Sequence, residues 1–596
     1  MAGEIEPLGR GDRLPTLADA SALVGALGWL GVVALWNLGP IRNVIALAVL
    51  VLVPLVVRLT DTPRRDGRRS RWYRLAVLGQ PVAAVPAVVS LSMQQGAVAA
   101  VLALPWVAAT VAIAGFGAWR LLERGPWPLE EVAVDAGLIY ILVGGIALLI
   151  DRAGVSLVFE PILITLTVVH FHYAGAVLPT VSGLAGRVGA GGRLGRALRA
   201  TTGIIIVGPG IIAVGITAVA LGLPLANLVE LIAVTFFTTA VAVFSLAVIG
   251  GVLPRLSRRS QQLTIGVASL AVTLSMGFAV LYGLARATGG TYFGIDAASY
   301  GLMVTYHGRL NAYGFALLAV VGWRLGIPDS RARPPGIPFS RLSGGWRIGA
   351  DFLDRKGLTT DAAVSGMMDR VDAYDSAGFD PTAVAPSVRR FFERSGEYDL
   401  DVDPDWARPW KQLAGVYRPL ATRIGQLSVP LGAVSGETAL TGRVVGVDVD
   451  DHHTGDRAWI RSNADRVDAD RRMTYVGVYD RYNDGSRPYL RVAFPLPGGT
   501  LTGILRVENG GSNGDGLVLS SYPTAGNGDD AGLYLVARGF GVRLPLNETL
   551  VVVPDSGSTV EAVHRVELLG VRIFTLRYRI RLADEGSVDT EAMARR

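Results

Sequence analysis

Residues 161–187 read PILITLTVVHFHYAGAVLPTVSGLAGR, a long run of apolar and small residues that ends in an arginine. A transmembrane helix needs about 20 consecutive, mostly apolar residues. The run is long enough to cross a bilayer, and it carries His170 and His172 near its middle. It therefore predicts a membrane-spanning helix with two ionisable side chains inside it.

Nine further apolar segments surround this one, which predicts ten spans within residues 1–325. In chain order the ten lie at 20–37, 41–57, 75–93, 97–119, 132–152, 161–185, 198–222, 226–252, 261–285 and 297–325. The first is not a cleavable signal, because its apolar core is long and a second span follows at once. The first half of the chain is thus predicted to be an all-α polytopic membrane bundle.

Arginine divides the loops between these spans into two alternating sets. The 58–74 loop carries seven arginines, and further arginines follow the fourth, sixth, eighth and tenth spans. The alternate loops, at 93–96, 151–160, 222–227 and 288–297, are poor in arginine. By the positive-inside rule this pattern predicts a multi-pass protein of the cell membrane with both termini in the cytoplasm.

Composition separates the two halves of the 596-residue chain. Mean hydropathy is +0.40 and only 18% of residues are charged. Residues 1–350 have a net charge of +12, whereas residues 351–596 have a net charge of −6. The positive charge belongs to the membrane half, so it indicates topology and not a nucleic-acid partner. Cysteine is absent, which excludes disulfides, zinc–thiolate sites, iron–sulfur clusters and thiol nucleophiles.

The second half predicts a soluble domain. Residues 326–350 are rich in Pro, Gly and Arg, as is typical of a linker. Residues 351–596 predict a cytoplasmic α+β domain dominated by antiparallel strands, with helices at 361–375 and 383–395 and strands from about 439 to 583. A sheet curled around an apolar interior could hold a lipid or a hydrophobic small molecule, and a plain interaction domain is the alternative.

The histidines carry the strongest functional signal. His170 and His172 lie in the sixth span and His307 in the tenth, and these spans run in the same direction. At 1.5 Å per residue, all three lie about 13–16 Å from the outer end, near the midplane. His170 and His172 are about 200° apart around a helix, so only one of them is expected to meet His307. The other is expected to face a polar group on a third span, with Glu230 as first choice.

Other polar side chains accompany the histidines. Tyr173 and Tyr306 flank them, and Asn311 lies one turn beyond His307 on the same face. Arg309 is a costly charge at that depth unless it is paired or wetted, which favours a polar path. Asp135, near the cytoplasmic end of the fifth span, is expected at the interface.

Three functions of the histidine trio remain open. The histidines could bond neighbouring helices and do nothing else. They could line a proton or substrate pathway, with an unknown ion or small molecule as substrate. They could instead ligate haem or a transition metal. No GxSxG, HExxH or kinase-like motif supports an enzyme.

One further cluster lies in the soluble half. The segment VDVDDHHTGD at 447–456 carries carboxylates and two histidines, but it lacks the spacing of an EF-hand loop. We interpret it as a solvated acidic loop.

Two resemblances follow from these motifs. HFHY at 170–173 resembles the haem-ligating helix of haem–copper oxidase catalytic subunits, in which two histidines at this spacing serve two haems. No histidine-bearing span follows His307, so a copper site cannot be completed. Over the whole chain, HFHYAGAVLPTVSGLAGR and the later HGRLNAYGF resemble the YndJ-like membrane protein family, which is sometimes labelled as transporters. That resemblance implies a transporter-like protein without a defined substrate.

Overall fold

The computed structural model describes residues 13–583, except 66, 156–158, 332, 341, 433–437, 450–456, 464–473, 525–528 and 539. The chain forms two compact units, Met1–Pro334 and Pro335–Arg596. The first unit is helical and the second is built mainly of antiparallel strands. The predicted combination of an all-α bundle with a domain dominated by antiparallel strands is confirmed.

Nine helices in the described part of the chain are long and apolar enough to cross a membrane. They are α1 (Leu14–Leu35), α2 (Gly39–Leu59), α3 (Arg71–Ser92), α4 (Ala97–Arg124), α5 (Leu129–Ala153), α6 (Pro161–Val188), α7 (Gly192–Ala220), α8 (Ala226–Arg255) and α9 (Arg259–Thr288). Each coincides with one of the first nine predicted spans.

The tenth predicted span is also helical but is not among these nine. Residues 300–325 form a continuous helical run, here called α10. Its π-helical turns at Met303–Gly308 and Leu310–Leu317 precede an α-helical end at Leu318–Leu325. His307, Arg309 and Asn311 interrupt its apolar sequence, which makes this helix more polar than a typical span.

Local sequence explains several helix ends. The Ser70 hydroxyl caps α3 by accepting a 3.1 Å hydrogen bond from the Tyr73 amide. Pro161 occupies the first turn of α6, where its missing N–H is not needed. Gly154 and Gly289 end α5 and α9 in the left-handed conformation, with φ of 67° and 70°.

Helices α5 and α6 approach each other closely through glycines. A methyl group at Gly137 would lie 2.7 Å from the Ala176 carbonyl oxygen. One at Gly144 would lie 2.6 Å from Nδ1 of His172. Small residues thus bring two backbones together where α6 carries its histidines.

In the second unit the described residues form thirteen strands and three α-helices. The strands are β1 (Thr359–Thr360), β2 (Tyr398–Trp406), β3 (Thr438–Val447), β4 (Arg457–Ser462), β5 (Thr474–Asn483), β6 (Pro488–Leu496), β7 (Gly499–Gly510), β8 (Gly516–Ser520), β9 (Gly532–Ala537), β10 (Phe540–Arg543), β11 (Leu546–Pro554), β12 (Val560–Leu568) and β13 (Val571–Leu582). The helices are α11 (Phe352–Arg355), α12 (Pro386–Glu393) and α13 (Trp410–Ile424).

Ten of these strands close into an antiparallel ring. The order is β2-β3-β4-β5-β6-β7-β8-β11-β12-β13, and β13 pairs with β2 to complete it. The long strand β7 pairs with β8 along residues 506–510 and with β9 along residues 500–504, so β9 and β10 lie outside the ring. This barrel is the curled sheet that the sequence predicts.

The barrel interior is apolar and aromatic. Leu400, Val492 and Leu576 from three of its strands pack in one cluster with Phe391 and Phe392 of α12. A hydrophobic ligand inside the barrel stays a prediction.

Two details of the second unit differ from the sequence expectation. The prediction of a helix at 361–375 is wrong, because within these residues only Val371–Tyr374 is helical, as a short 3-10 turn. The Met367 amide donates to the Ser395 hydroxyl and the Met368 amide to the Phe392 carbonyl, so these donors bond to a distant segment and not along a helix. Within the predicted linker, Ile337 and Ile348 are buried in the second unit.

Candidate functional site

The tenth and sixth helices bring two of the three membrane histidines together. The rings of His170 on α6 and His307 on α10 have centroids 6.4 Å apart. The shared depth of these residues predicts this meeting, and only one histidine of α6 takes part in it. The His170 side chain is exposed and His307 is partly exposed, so the pair lies at the surface of the helical unit.

Backbone carbonyls define the orientation of both rings. Nδ1 of His170 lies 2.8 Å from the Leu166 carbonyl oxygen, and Nδ1 of His307 lies 2.9 Å from the Ser275 carbonyl oxygen on α9. A carbonyl only accepts, so each neutral ring carries its proton on Nδ1 and presents a lone pair at Nε2. Both histidines therefore offer an acceptor nitrogen to a proton or a cation.

Two polar neighbours hold His307 in place. The Ser275 hydroxyl donates to the His307 carbonyl oxygen at 3.0 Å and lies 3.2 Å from Nδ1 of the ring. The Asn311 amide nitrogen lies 3.4 Å from Nε2 of His307. Asn311 was expected from its position one turn along the helix. Ser275 was missed, because no signal in the sequence of α9 distinguishes it from the other small polar residues there.

His172 points away from this pair and is satisfied elsewhere. The Trp106 indole on α4 donates to Nε2 of His172 at 3.1 Å, and Nδ1 lies 2.8 Å from the Val168 carbonyl oxygen. Both side chains are buried, and the rings stack with centroids 5.9 Å apart. His172 does face a third helix, as predicted, but the choice of Glu230 as its partner is wrong.

Glu230 belongs to a different contact. Its carboxylate on α8 lies 3.6 Å from Nη1 of Arg286 on α9, and both side chains are partly exposed. Two helices meet through this ion pair, away from the histidines. The sequence position of Glu230 indicates its depth along the helix but not the direction in which its side chain points. The contact with Arg286 was therefore not predicted.

The remaining predicted side chains are dispersed. The buried Tyr173 hydroxyl donates to the Val44 carbonyl oxygen at 2.7 Å, which ties α6 to α2. Tyr306 is 51% exposed and stacks on Phe278. Arg309 is exposed, and no ion pair of this residue is found in the described part of the chain.

A buried ionic cluster at one end of the helical unit was missed. It consists of Arg120 and Arg124 of α4, Glu131 and Asp135 of α5, and Arg187 of α6, all buried. Arg120 Nη2 lies 2.6 Å from Glu131 Oε2, and Arg124 Nη2 lies 2.6 Å from Asp135 Oδ2. Arg187 Nε reaches Glu131 Oε1 at 2.8 Å. The cluster joins three helices through these ion pairs, and its five side chains together carry a net charge of +1.

Asp135 was expected at the membrane interface, which stays a prediction; the structure shows its carboxylate enclosed by protein and paired with Arg120 and Arg124. A spacing signal for the cluster exists in the sequence. Arg120 and Arg124 are four residues apart, as are Glu131 and Asp135, which places each like-charged pair on one helix face. Opposite charges on facing turns of consecutive helices predict such pairing.

The histidine pair is the only multi-imidazole arrangement that the described residues offer to a metal. Within these residues no group of three or more His, Cys, Asp or Glu side chains could hold a metal ion. Of the acidic segment at 447–456, residues 450–456 lie outside the described residues. His564 in the barrel lies 3.0 Å from the Glu548 carboxylate and is engaged there.

Nine helices of the described residues are long and apolar enough to cross a membrane, and with the closed barrel unit they define a polytopic membrane protein that carries a β-barrel domain. Comparison with known proteins supports the class. A family model described as YndJ-like protein matches residues 43–315. The uncharacterized membrane protein YndJ of Bacillus subtilis (strain 168) is 28% identical over 503 residues, which are 84% of this chain and 86% of that protein. Over these residues the chain is similar to YndJ-like proteins, the family that its motifs resemble. No solved structure matches it.

Proposed function

We propose that this membrane protein is transporter-like and that a proton or substrate path runs past His170 and His307. The observation that carries the proposal is the 6.4 Å approach of two imidazole rings from separate helices. Ionisable side chains inside a membrane unit are costly and mark pathways more often than packing.

The chemistry of the pair suits proton transfer. Each ring presents an unprotonated Nε2, because its Nδ1 is committed to a carbonyl oxygen. Two positive charges at this separation would repel by about 3 kcal/mol at an effective dielectric constant of about 20. A proton on one ring therefore disfavours a second proton on the other, so a proton entering at one ring displaces one from its neighbour.

Exposure supports access of water to the pair. His170 and Arg309 are both exposed, and Arg309, for which the described residues provide no carboxylate partner, needs water around it. His172 is buried, and its ring nitrogens are engaged at 3.1 Å and 2.8 Å, so we leave it out of the path. Nε2 of His307 has only the longer 3.4 Å contact with the Asn311 amide.

Proton movement tests the proposal without knowledge of a substrate. Purified protein is reconstituted into liposomes that contain a pH-sensitive dye, and an imposed pH jump drives uptake. We expect His170→Gln and His307→Gln each to reduce the initial rate at least tenfold. His564→Gln, in the barrel unit, is the matched control and should keep the full rate. Wild-type uptake no faster than that of empty liposomes would overturn the proposal.

Haem or metal ligation is the second candidate function, favoured by the same two acceptor nitrogens. One metal between two imidazoles requires bonds of about 2 Å on each side, which the ring separation accommodates. The absorbance spectrum of detergent-purified protein from haem-replete cells decides between the two functions. A Soret band that disappears in His170→Gln and His307→Gln would establish the redox class. A colourless, metal-free protein would remove it.

A further inference from the structure

We propose that a cavity at one end of the helical unit binds a phosphate ester group. This basic cavity is distinct from the histidine pair and does not depend on the proposed path. Its volume is about 230 Å³, and it is bordered by the ends of four helices, α5, α6, α7 and α8. Drug-sized ligands occupy about 300–1,000 Å³, so the cavity suits a smaller group.

The positive charge of the residues that line the basic cavity favours an anionic ligand. Three arginines line the basic cavity, Arg199, Arg255 and Arg331, against one carboxylate, that of Glu130. Arg331 Nε lies 3.4 Å from the Glu130 carboxylate, so part of this positive charge is already matched. The lining keeps a net charge of about +2, which a phosphate ester of charge −1 to −2 would neutralise.

Two of the arginines have no acidic partner in the described part of the chain. Arg255 donates only to the Gly251 carbonyl oxygen of its own helix. Arg199 makes no hydrogen bond or ion pair there, although Arg120, Arg124 and Arg187 of the neighbouring buried ionic cluster are all paired with carboxylates. Guanidinium groups present several N–H donors in a planar fork that matches phosphate oxygens.

Glycines let the arginines and a ligand approach the backbone. Gly186, Gly189, Gly191 and Gly195 line the basic cavity. A methyl group at Gly189 would lie 2.7 Å from Nη2 of Arg331, and one at Gly191 would lie 3.3 Å from Nη2 of Arg255. Side chains at these positions would push the guanidinium groups aside. The glycines of the segment GAGGRLG at 189–195 thus have a structural reason.

Two sources could supply the phosphate. The ends of membrane helices lie at the level of lipid headgroups, and basic pockets between such ends bind anionic headgroups. A soluble phosphate ester would enter from the aqueous side. A lipid headgroup and a soluble ester both present phosphate ester oxygens to the arginines. The experiment therefore tests each source with its own probe.

The test measures thermal unfolding of the full-length protein in a neutral detergent. The probes are short-chain phosphatidylglycerol, glycerol phosphate, and short-chain phosphatidylcholine as a zwitterionic control at equal ionic strength. We expect phosphatidylglycerol or glycerol phosphate to raise the midpoint by several degrees and phosphatidylcholine to leave it unchanged. A shift with the lipid alone identifies a headgroup, and a shift with glycerol phosphate identifies a soluble ester.

Matched variants locate the effect. Arg199→Gln/Arg255→Gln should lose at least two thirds of the shift. Arg193→Gln/Arg196→Gln removes two exposed arginines of the same segment that do not line the basic cavity, and it should keep the shift. Size-exclusion profiles and ligand-free midpoints show whether each variant is folded, and native mass spectrometry then counts bound lipids. Equal shifts in both double variants, or no shift in the wild type, would overturn the proposal.

Discussion

At the residue scale, the buried ionic cluster should be sensitive to the loss of one charge. Glu131 contacts both Arg120 and Arg187, and all three side chains are buried. Removing one partner of a buried pair leaves an uncompensated charge and costs about 3–5 kcal/mol. We expect Glu131→Gln to lower the free energy of unfolding of the helical unit by that amount. Helical circular dichroism during detergent denaturation measures it, because the second unit is mostly strand.

Glu160→Gln is the control for this prediction. Glu160 is exposed at the start of α6, and its side chain makes no cap hydrogen bond there. Its substitution should change the free energy of unfolding by less than about 0.5 kcal/mol. Equal losses in the two variants would show that the buried ionic cluster contributes no more than a surface carboxylate.

At the residue scale, the sequence predicted correctly a contact that depends only on how deep each residue lies along its helix. His170 and His307 lie at one depth on helices of the same direction, and they meet. The sequence did not predict a contact that depends on the direction in which a side chain points around its helix. Trp106, and not Glu230, satisfies His172, because the faces that pack together are set by tertiary structure. A tryptophan in the middle of an apolar span was the available signal.

At the element scale, glycines that lie between helices should not tolerate a methyl group. At Gly137 on α5 the added carbon would lie 2.7 Å from the Ala176 carbonyl oxygen of α6, which is backbone and cannot move aside. We expect Gly137→Ala to destabilise the helical unit by about 1–3 kcal/mol through overpacking. The same denaturation measurement reports the change.

Gly203→Ala on α7 is the matched substitution in open space, with nothing within 4 Å of the added carbon. Alanine is the better helix former by about 1 kcal/mol, so this variant should be neutral or stabilised. If both alanine variants were stabilised, the close approach of α5 and α6 would be contradicted.

Helices and strands were predictable from the sequence where a regular pattern of apolar residues specifies them. Apolar runs gave nine spans, and alternation in VRIFTLRYRIRL at 571–582 predicted a strand that coincides with β13. The helix expected at 361–375 failed, because the amides of Met367 and Met368 bond to a distant segment. Long-range hydrogen bonds of this kind leave no periodic trace in the sequence.

At the scale of the whole molecule, α10 decides on which side of the membrane the barrel lies. If residues 300–325 cross, ten spans put both termini in the cytoplasm. If they do not, the second unit lies outside. We expect reporter fusions after Arg74 and after Gly326 to report the cytoplasm, and one at Gly289 to report the outer side. Matching locations for the fusions at Gly289 and Gly326 would contradict a crossing by α10.

The pairing of β2 with β13, which closes the barrel, can form only late in the synthesis of the chain. Asp405 and Arg572, which form an ion pair across it, are separated by 167 residues in the chain. At a ribosomal pace of about 5–20 residues per second, the second partner is made about 8–33 s after the first. Until then β2 has an open edge, which is the feature that invites pairing with another chain. Each newly made molecule therefore passes through an interval in which chaperones or neighbouring nascent chains compete with its own last strand.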